Sequence, residues 1–328
     1  MKIDKLLQQK HKELIIFNFA ASADYSKIIS NINTKKTYIL SNDFIPNKAI
    51  DKLKEIFNKY NQTEFVFFTE FGYDYWNLEN VKVFQYNIFL YQALLELNSI
   101  KEFCFDYKSK KSKNFSVLIG SSCKERFDIL SAVGSIGNLK NSYYTLLDKN
   151  LTPYMSDSKK YEFLFGENFE NYQINFKTKS YNYTSNTQKF KHKDNFYNIQ
   201  PLIIESYFYI GLENMSITGK DNISEKTLYG YITGTPTFNV IGPEARSMLL
   251  ELGFKSTPLF EIEKNYNKKT YDETLIEYMK DISFLCSFDS GQWKEYYIGN
   301  HDVIYHNYNN LDNAFEIVKS NIHTVLDS

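Results

Sequence analysis

Ser224, Glu225 and Lys226 follow one another within GLENMSITGKDNISEKTLYGYITGTPTFNVIGPEA, which runs from Gly211 to Ala245. A lysine there could neutralise a diphosphate. A carboxylate there could accept two hydrogen bonds from the cis-diol of a ribose. Neighbouring residues on a helix point about 100° apart, so one side chain could face phosphates and the other a sugar. A helix beginning near Ile223 would add free backbone N–H groups and the positive end of its dipole, a seat for an anion. Glu213 and Asn214 stand at the end of a strand-like run and would line the same crevice. Gly242 would let a phosphate approach the backbone closely.

The ordinary reading of Glu225 is the third-position acid of a capping box with Asn222 as N-cap, worth about 1 kcal/mol and no chemistry. Lys226 says little alone. The 38 basic residues include only two arginines, Arg126 and Arg246. Aromatic residues make up 17% of the chain, with 27 Tyr and 27 Phe. An AT-rich coding sequence explains the abundance of Lys, Asn, Ile, Tyr and Phe. The scarce residue types therefore carry more information, and Arg126 offers phosphate a rigid bidentate fork. Arg246 sits on the polar side of a helix and reads as exposed or salt-bridged. His306 reads as a packed or capping histidine.

A base that removes a proton from an acceptor is a separate requirement. Acids at strand ends in the N-terminal half are Asp24, Asp43, Glu70 and Asp74. Glu70 and Asp74 are favoured, because the segment Thr69–Trp76 combines acids, a glycine and aromatics that could stack on a sugar or base. An ordinary solvated acid is the alternative for each.

Strands alternating with helices must position these residues. Glu13–Phe19, Thr37–Leu40 and Glu64–Thr69 read as strands, and Ile50–Tyr60 and Ile88–Leu97 as helices, which together predict a parallel α/β sheet. Tyr107–Asn114 is polar and cationic and reads as a linker. A second α/β unit starts with the strand Phe115–Ile119 and a helix opened by Ser122 and Glu125, which carries Arg126. Asn141–Leu147, Tyr207–Leu212 and Thr237–Ile241 follow as strands, and Ile223–Thr233, Pro243–Leu252, Tyr271–Leu285 and Ala314–Leu326 as helices. Pro243 suits a first turn and Gly253 a C′ cap. The domains expected are 1–112 and 113–328, the second with an insertion near 152–200. Two strand-to-helix turns around Glu225 and Gly242 would then lie at the carboxyl end of a parallel sheet, where α/β folds bind ligands.

The segment from Gly211 to Ala245 resembles the donor-binding part of GT-B glycosyltransferases of the α-1,3-fucosyltransferase kind. Those have an E-N pair after a strand, then a [ST]-E-K helix start, then a small-Pro-strand-Gly turn. The chain also resembles glycosyltransferase-like proteins of large tailed phages and other viruses. There the [ST]-E-K segment is followed by a helix ending in L-G-F-K-[ST], matched by Leu252–Ser256. An upstream strand with an Arg-bearing helix is matched by Ser116–Arg126, and a late H-N by His306–Asn307. The resemblance spans roughly Phe115 to Asn313. One departure is Glu125, where the phage-type pattern has His.

The resemblance implies two Rossmann-like domains whose parallel sheets face a cleft. It implies a metal-independent transferase that uses a nucleotide sugar such as a UDP- or GDP-sugar. Arg126, Glu213, Asn214, Ser224, Glu225, Lys226 and Gly242 would bind the donor, with no further cofactor. Lys177–Tyr197 interleaves lysines with aromatics, which suits a nucleic-acid backbone and stacked bases. The plainer reading is a solvated loop. The acceptor is accordingly a hydroxymethylated or otherwise modified DNA base, or a glycan. The alternative from another class is a non-catalytic nucleotide- or nucleic-acid-binding protein on a degenerate transferase fold.

Several classes are disfavoured. GxGxxG, GxxxxGK[ST] and GxSxG are absent, as is the Asp-x-Asp of metal-dependent sugar transferases. Cys104, Cys123 and Cys286 share no metal or disulfide spacing. No run of 18 apolar residues predicts a membrane span. The expected location is the cytoplasm of the expressing or infected cell.

Overall fold

The structure is a computed structural model. It describes residues 15–17, 25–33, 35–41, 47–69, 78–85, 88–103, 105–106, 110–119, 129, 141–146, 199–213, 223–262 and 271–327. The chain divides into two compact units, one of residues 1–92 with 315–328 and the other of residues 93–314.

The first unit holds four parallel strands in the order β1-β2-β3-β4: β1 (Ile15–Phe17), β2 (Lys36–Ser41), β3 (Glu64–Thr69) and β4 (Val81–Gln85). Helix α1 (Tyr25–Ser30) connects β1 to β2, and α2 (Asn47–Lys59) connects β2 to β3. β3 is one apolar run because both its faces are covered: Phe65 and Phe67 are fully buried, and Val66 and Phe68 nearly so. Ile39, Phe65 and Phe67 pack with Ile28 of α1 and Leu53, Ile56 and Phe57 of α2. At the amino edge, Glu64 forms ion pairs with Lys82 at 2.9 Å and Lys36 at 3.5 Å, and these lysines hold its carboxyl below the usual range.

The second unit holds four parallel strands in the order β6-β5-β7-β8: β5 (Lys113–Ile119), β6 (Tyr143–Leu146), β7 (Ser206–Leu212) and β8 (Thr237–Val240). The chain moves from β5 outward to β6, then returns to the opposite side of β5 for β7 and β8. The strand order therefore reverses between β5 and β7, and the carboxyl ends of those two strands flank the crevice that such a reversal opens.

One face of this sheet carries Phe115, Val117, Ile119, Phe208, Ile210, Leu212, Phe238 and Val240. It packs against Tyr278, Ile282 and Leu285 of α6 (Tyr271–Cys286) and Trp293, Tyr296 and Tyr297 of α7 (Ser290–Gly299). The other face is covered by α4 (Glu225–Thr233), which sits very close. A methyl group at Gly230 would lie 1.7 Å from Thr237 Oγ1 and 2.8 Å from the Thr235 carbonyl oxygen. Only glycine permits that approach.

Helix α5 (Pro243–Glu251) follows β8. Gly253 ends it at φ 85°, with Gly253 N–H on the Leu250 carbonyl and Phe254 N–H on the Leu249 carbonyl. That is the Schellman geometry expected of a glycine C′ cap.

Two boundaries differ from the sequence expectation. The units part at Gln92/Ala93, inside helix α3 (Ile88–Asn98), and not near residue 112. Within the stretch read as a linker, the described residues are tied down instead: Ser112 N–H and Lys113 N–H donate to Glu205 O at 2.8 and 3.1 Å, and Lys111 Nζ donates to Ile204 O at 2.7 Å. The last helix, α8, runs His301–Asp327, starting thirteen residues before the expected Ala314. The insertion expected near 152–200 lies outside the described residues except 199 and 200, which are helical.

Candidate functional site

Glu213 is the first residue after β7, next to the strand-order reversal, and is 2% exposed. Its carboxylate is turned onto the start of α4. Oε1 accepts the Ser224 N–H at 2.8 Å, the Thr227 hydroxyl at 2.7 Å and the Thr227 N–H at 3.3 Å. The Ser224 hydroxyl lies 2.7 Å from Oε2 and 2.9 Å from Oε1. Helix N-termini leave backbone N–H groups without partners inside the helix. Here Glu213 accepts two of them, from Ser224 and Thr227, and its negative charge complements the helix dipole.

Ser224 is the N-cap of α4, in extended conformation, and its oxygen accepts the Lys226 N–H at 3.4 Å. Glu225 is therefore the first helical residue. It is not the third-position acid of a box begun by Asn222. The local chain has little freedom, because a methyl group at Gly211 would lie 3.2 Å from the Lys226 carbonyl oxygen and 2.8 Å from Asn239 Oδ1.

Glu225 and Lys226 do not point apart. Lys226 Nζ lies 2.5 Å from Glu225 Oε1 and 3.3 Å from Ser224 Oγ. The side chains are 12% and 21% exposed. The helix end read as an anion seat is thus filled by Glu213, and the lysine read as a phosphate partner is paired with the carboxylate beside it. The reason is local. With Ser224 as N-cap, residues 225 and 226 share the first turn, where a flexible lysine folds back on its neighbour.

Gly242 is the N-cap of α5 at the carboxyl end of β8, the strand beside β7. Its φ of −73° is open to any residue, so its smallness and not its conformation is what it offers. Arg246 is not exposed. It is 5% accessible, and its guanidinium donates to Asn239 O at 3.1 Å, Ile262 O at 3.2 Å and the Tyr278 hydroxyl at 3.3 Å. The fork that suits phosphate here ties β8 to α6 and to the turn at 262.

His306 and Asn307 serve the turn after α5. His306 Nε2 lies 3.0 Å from Gly253 O, as expected of a capping histidine. Asn307 accepts the Lys255 N–H at 2.8 Å and donates to the Lys255 carbonyl at 2.8 Å, and Asn310 donates to Leu252 O at 2.8 Å. The L-G-F-K turn is therefore held by amide side chains of the last helix.

Arg126, Asn214, Glu70 and Asp74 lie outside the described residues, as do Asp24, Asp43 and the segment Lys177–Tyr197. β5 ends at Ile119 on one side of the strand-order reversal, and β7 ends at Leu212, one residue before Glu213, on the other. β3 ends at Thr69, one residue before Glu70. Among the described residues no group of three or more His, Cys, Asp or Glu could hold a metal. Burial pushes the Cys286 thiol up to about 12, which makes it a poor nucleophile. No helix among the described residues is long and apolar enough to cross a membrane.

No protein-family model matches the chain, and neither a curated protein nor a solved structure matches it.

Proposed function

We propose that the chain is a nucleotide-sugar-dependent glycosyltransferase of GT-B type, metal-independent and viral. Its second unit takes the donor and its first unit the acceptor. The observation that carries the reading is the Glu225–Lys226 pair on the first turn of α4, beside the point where strand order reverses. A cation there can meet a diphosphate, and the acid next to it can meet a ribose diol.

The bond between the anomeric carbon and the diphosphate oxygen breaks, and a bond to the acceptor oxygen forms. The acceptor proton passes to Glu70 or Asp74. The charge on the departing diphosphate falls to Lys226 and Arg126, because Glu213 fills the helix end. The acceptor is a hydroxymethylated or otherwise modified DNA base, which must leave the base stack to react, or else a glycan.

Calorimetry with a panel of nucleoside diphosphates tests the donor site. Binding to at least one, abolished in the Glu225→Ala/Lys226→Ala double variant, is the expected result. If no member binds, or if the double variant binds as the wild type does, the donor assignment fails. A binding protein without transfer activity is the second reading, favoured by the self-pairing of Glu225 with Lys226. Release of free sugar from a bound donor would exclude it.

A further inference from the structure

We infer that the flank of α8 carrying His301, Tyr305 and Tyr308 is a surface that binds a neutral glycan. It goes beyond the nucleotide reading above and does not need it. Positions 301, 305 and 308 are spaced i, i+4 and i+7, so they share one flank of the helix, beside the buried stripe of Ile304, Asn307 and Leu311. The rings of His301 and Tyr305 are parallel to within 7° at 6.0 Å between centroids, and those of Tyr305 and Tyr308 to within 26° at 6.1 Å. Rings so spaced are offset, so neither covers the other's face completely. Tyr305 is 47% exposed and the His301 side chain 40%. Phe105 backs the row, its ring 4.4 Å from that of Tyr308 and 5.7 Å from that of Tyr305. Phe105 also abuts Gly234, where an added methyl group would meet it at 2.5 Å. Gly234 caps the end of α4 opposite to Glu225, and the helix between them is about 13 Å long. The surface is therefore distinct from the Glu225–Lys226 pair.

The rim of the row is acidic. Asp302 stands beside His301, with His301 Nδ1 3.2 Å from Asp302 Oδ1, and its side chain is fully exposed. Asp106 follows Phe105 and is exposed. Asp312 lies one turn beyond Tyr308 and stays exposed although Lys101 Nζ meets it at 2.7 Å. That lysine lies over the Tyr308 ring at 4.6 Å, but it is buried and its charge is committed to Asp312. A nucleic-acid backbone calls for exposed cations and is repelled by exposed carboxylates. A sugar ring suits both features of the surface. Its C–H face packs on an aromatic face, and the hydroxyls at its rim donate to carboxylates, which only accept. The rings recur along α8 at a spacing comparable with that of successive sugars in a glycan, so an oligosaccharide can engage more than one of them.

The test is calorimetric titration of maltohexaose, cellohexaose, chitohexaose and an oligothymidylate into wild type, Tyr305→Ala, Tyr305→Phe and His301→Ala. Thermal melts verify folding, and phenylalanine keeps the ring. At least one hexasaccharide is expected to bind the wild type. Tyr305→Ala is expected to bind it about fivefold more weakly, and Tyr305→Phe to stay within about twofold of wild type. His301→Ala is expected to weaken it as well, because it removes the next ring of the row. Oligothymidylate is expected to respond to none of the variants. The inference is overturned if no hexasaccharide binds, or if both alanine variants bind sugar as the wild type does. It is overturned too if oligothymidylate is the ligand that Tyr305→Ala loses. None of these results bears on the binding of nucleoside diphosphates, so the nucleotide reading stands or falls separately.

Discussion

Glu213 grips Ser224 twice, accepting its backbone N–H at 2.8 Å and its hydroxyl at 2.7 to 2.9 Å, across eleven residues of chain. The same carboxylate reaches Thr227. One buried acid therefore sets where α4 begins, and so where Glu225 and Lys226 project. Its part in the site is positional: its oxygens are committed to the protein.

Glu213→Ala should destabilise the second unit by about 3 kcal/mol, because buried donors on Ser224 and Thr227 lose their acceptor. Glu213→Gln should cost about half as much, since an amide oxygen still accepts. Urea unfolding followed by the emission of Trp293, which is fully buried, measures both. An alanine variant as stable as wild type would show that the helix start does not depend on this acid.

Arg246→Lys should cost about 2–4 kcal/mol. An ammonium cannot reach Asn239 O, Ile262 O and the Tyr278 hydroxyl together as the planar fork does. Unfolding curves of the lysine and methionine variants check it. If lysine restores wild-type stability, charge alone and not the fork is what the site needs.

Gly230→Ala should destabilise by about 3 kcal/mol through overpacking. The added methyl group meets Thr237 Oγ1 at 1.7 Å. Thr237→Ala in the same chain should recover part of the loss, not all, because the Thr235 carbonyl remains 2.8 Å away. A shift in melting temperature for the single and the double variant reports the outcome.

Lys111 gives stability a pH dependence. Burial lowers its amine from 10.5 to about 8, with its ammonium over the Tyr297 ring. Between those values the unfolded chain holds a proton that the folded chain has released. The stability it contributes therefore rises as pH climbs from about 8 to 10.5 and is lost as pH falls through 8. Relative to Lys111→Met, the wild type should gain ~1–2 kcal/mol across that window, allowing for solvent screening. A constant difference between the two proteins from pH 7 to 10.5 would refute it.

The strands with continuous apolar runs were legible in the sequence. β3 spans Glu64–Thr69 as expected, because burial on both faces demands an unbroken run. α5 was legible from its punctuation, Pro243 at one end and Gly253 at the other. β4 was not. Val81–Gln85 is short and mixed, and its place comes from the register that sets Lys82 beside Glu64. α7 carries a capping box between Asp289 and Gln292, a local signal masked by the glycines at 291 and 299.

The early part of α8 was hidden for a different reason. Its buried stripe reads Ile304, Asn307, Leu311, Ala314, Val318 and Ile322, with Asn310 beside it. The asparagines interrupt the apolar period. They are buried to satisfy a turn some fifty residues away, and no local pattern announces that. The candidate site divides along the same line. The types and order of Ser224, Glu225 and Lys226 point to anion and diol chemistry. The contact from Glu213 to Ser224 and the burial of Arg246 depend on tertiary approach.

The division of the chain has a consequence for the order in which the protein is made. The first unit includes residues 315–328, among them Phe315, whose ring stacks on Tyr91 at 5.6 Å. Those residues are synthesised only after all of the second unit. The full set of residues of the first unit is therefore present only after its successor has been made, unlike the usual order in which domains mature as they emerge. A nascent chain stalled before Phe315 would carry an incomplete first unit, and the cell's quality control would meet it in that form.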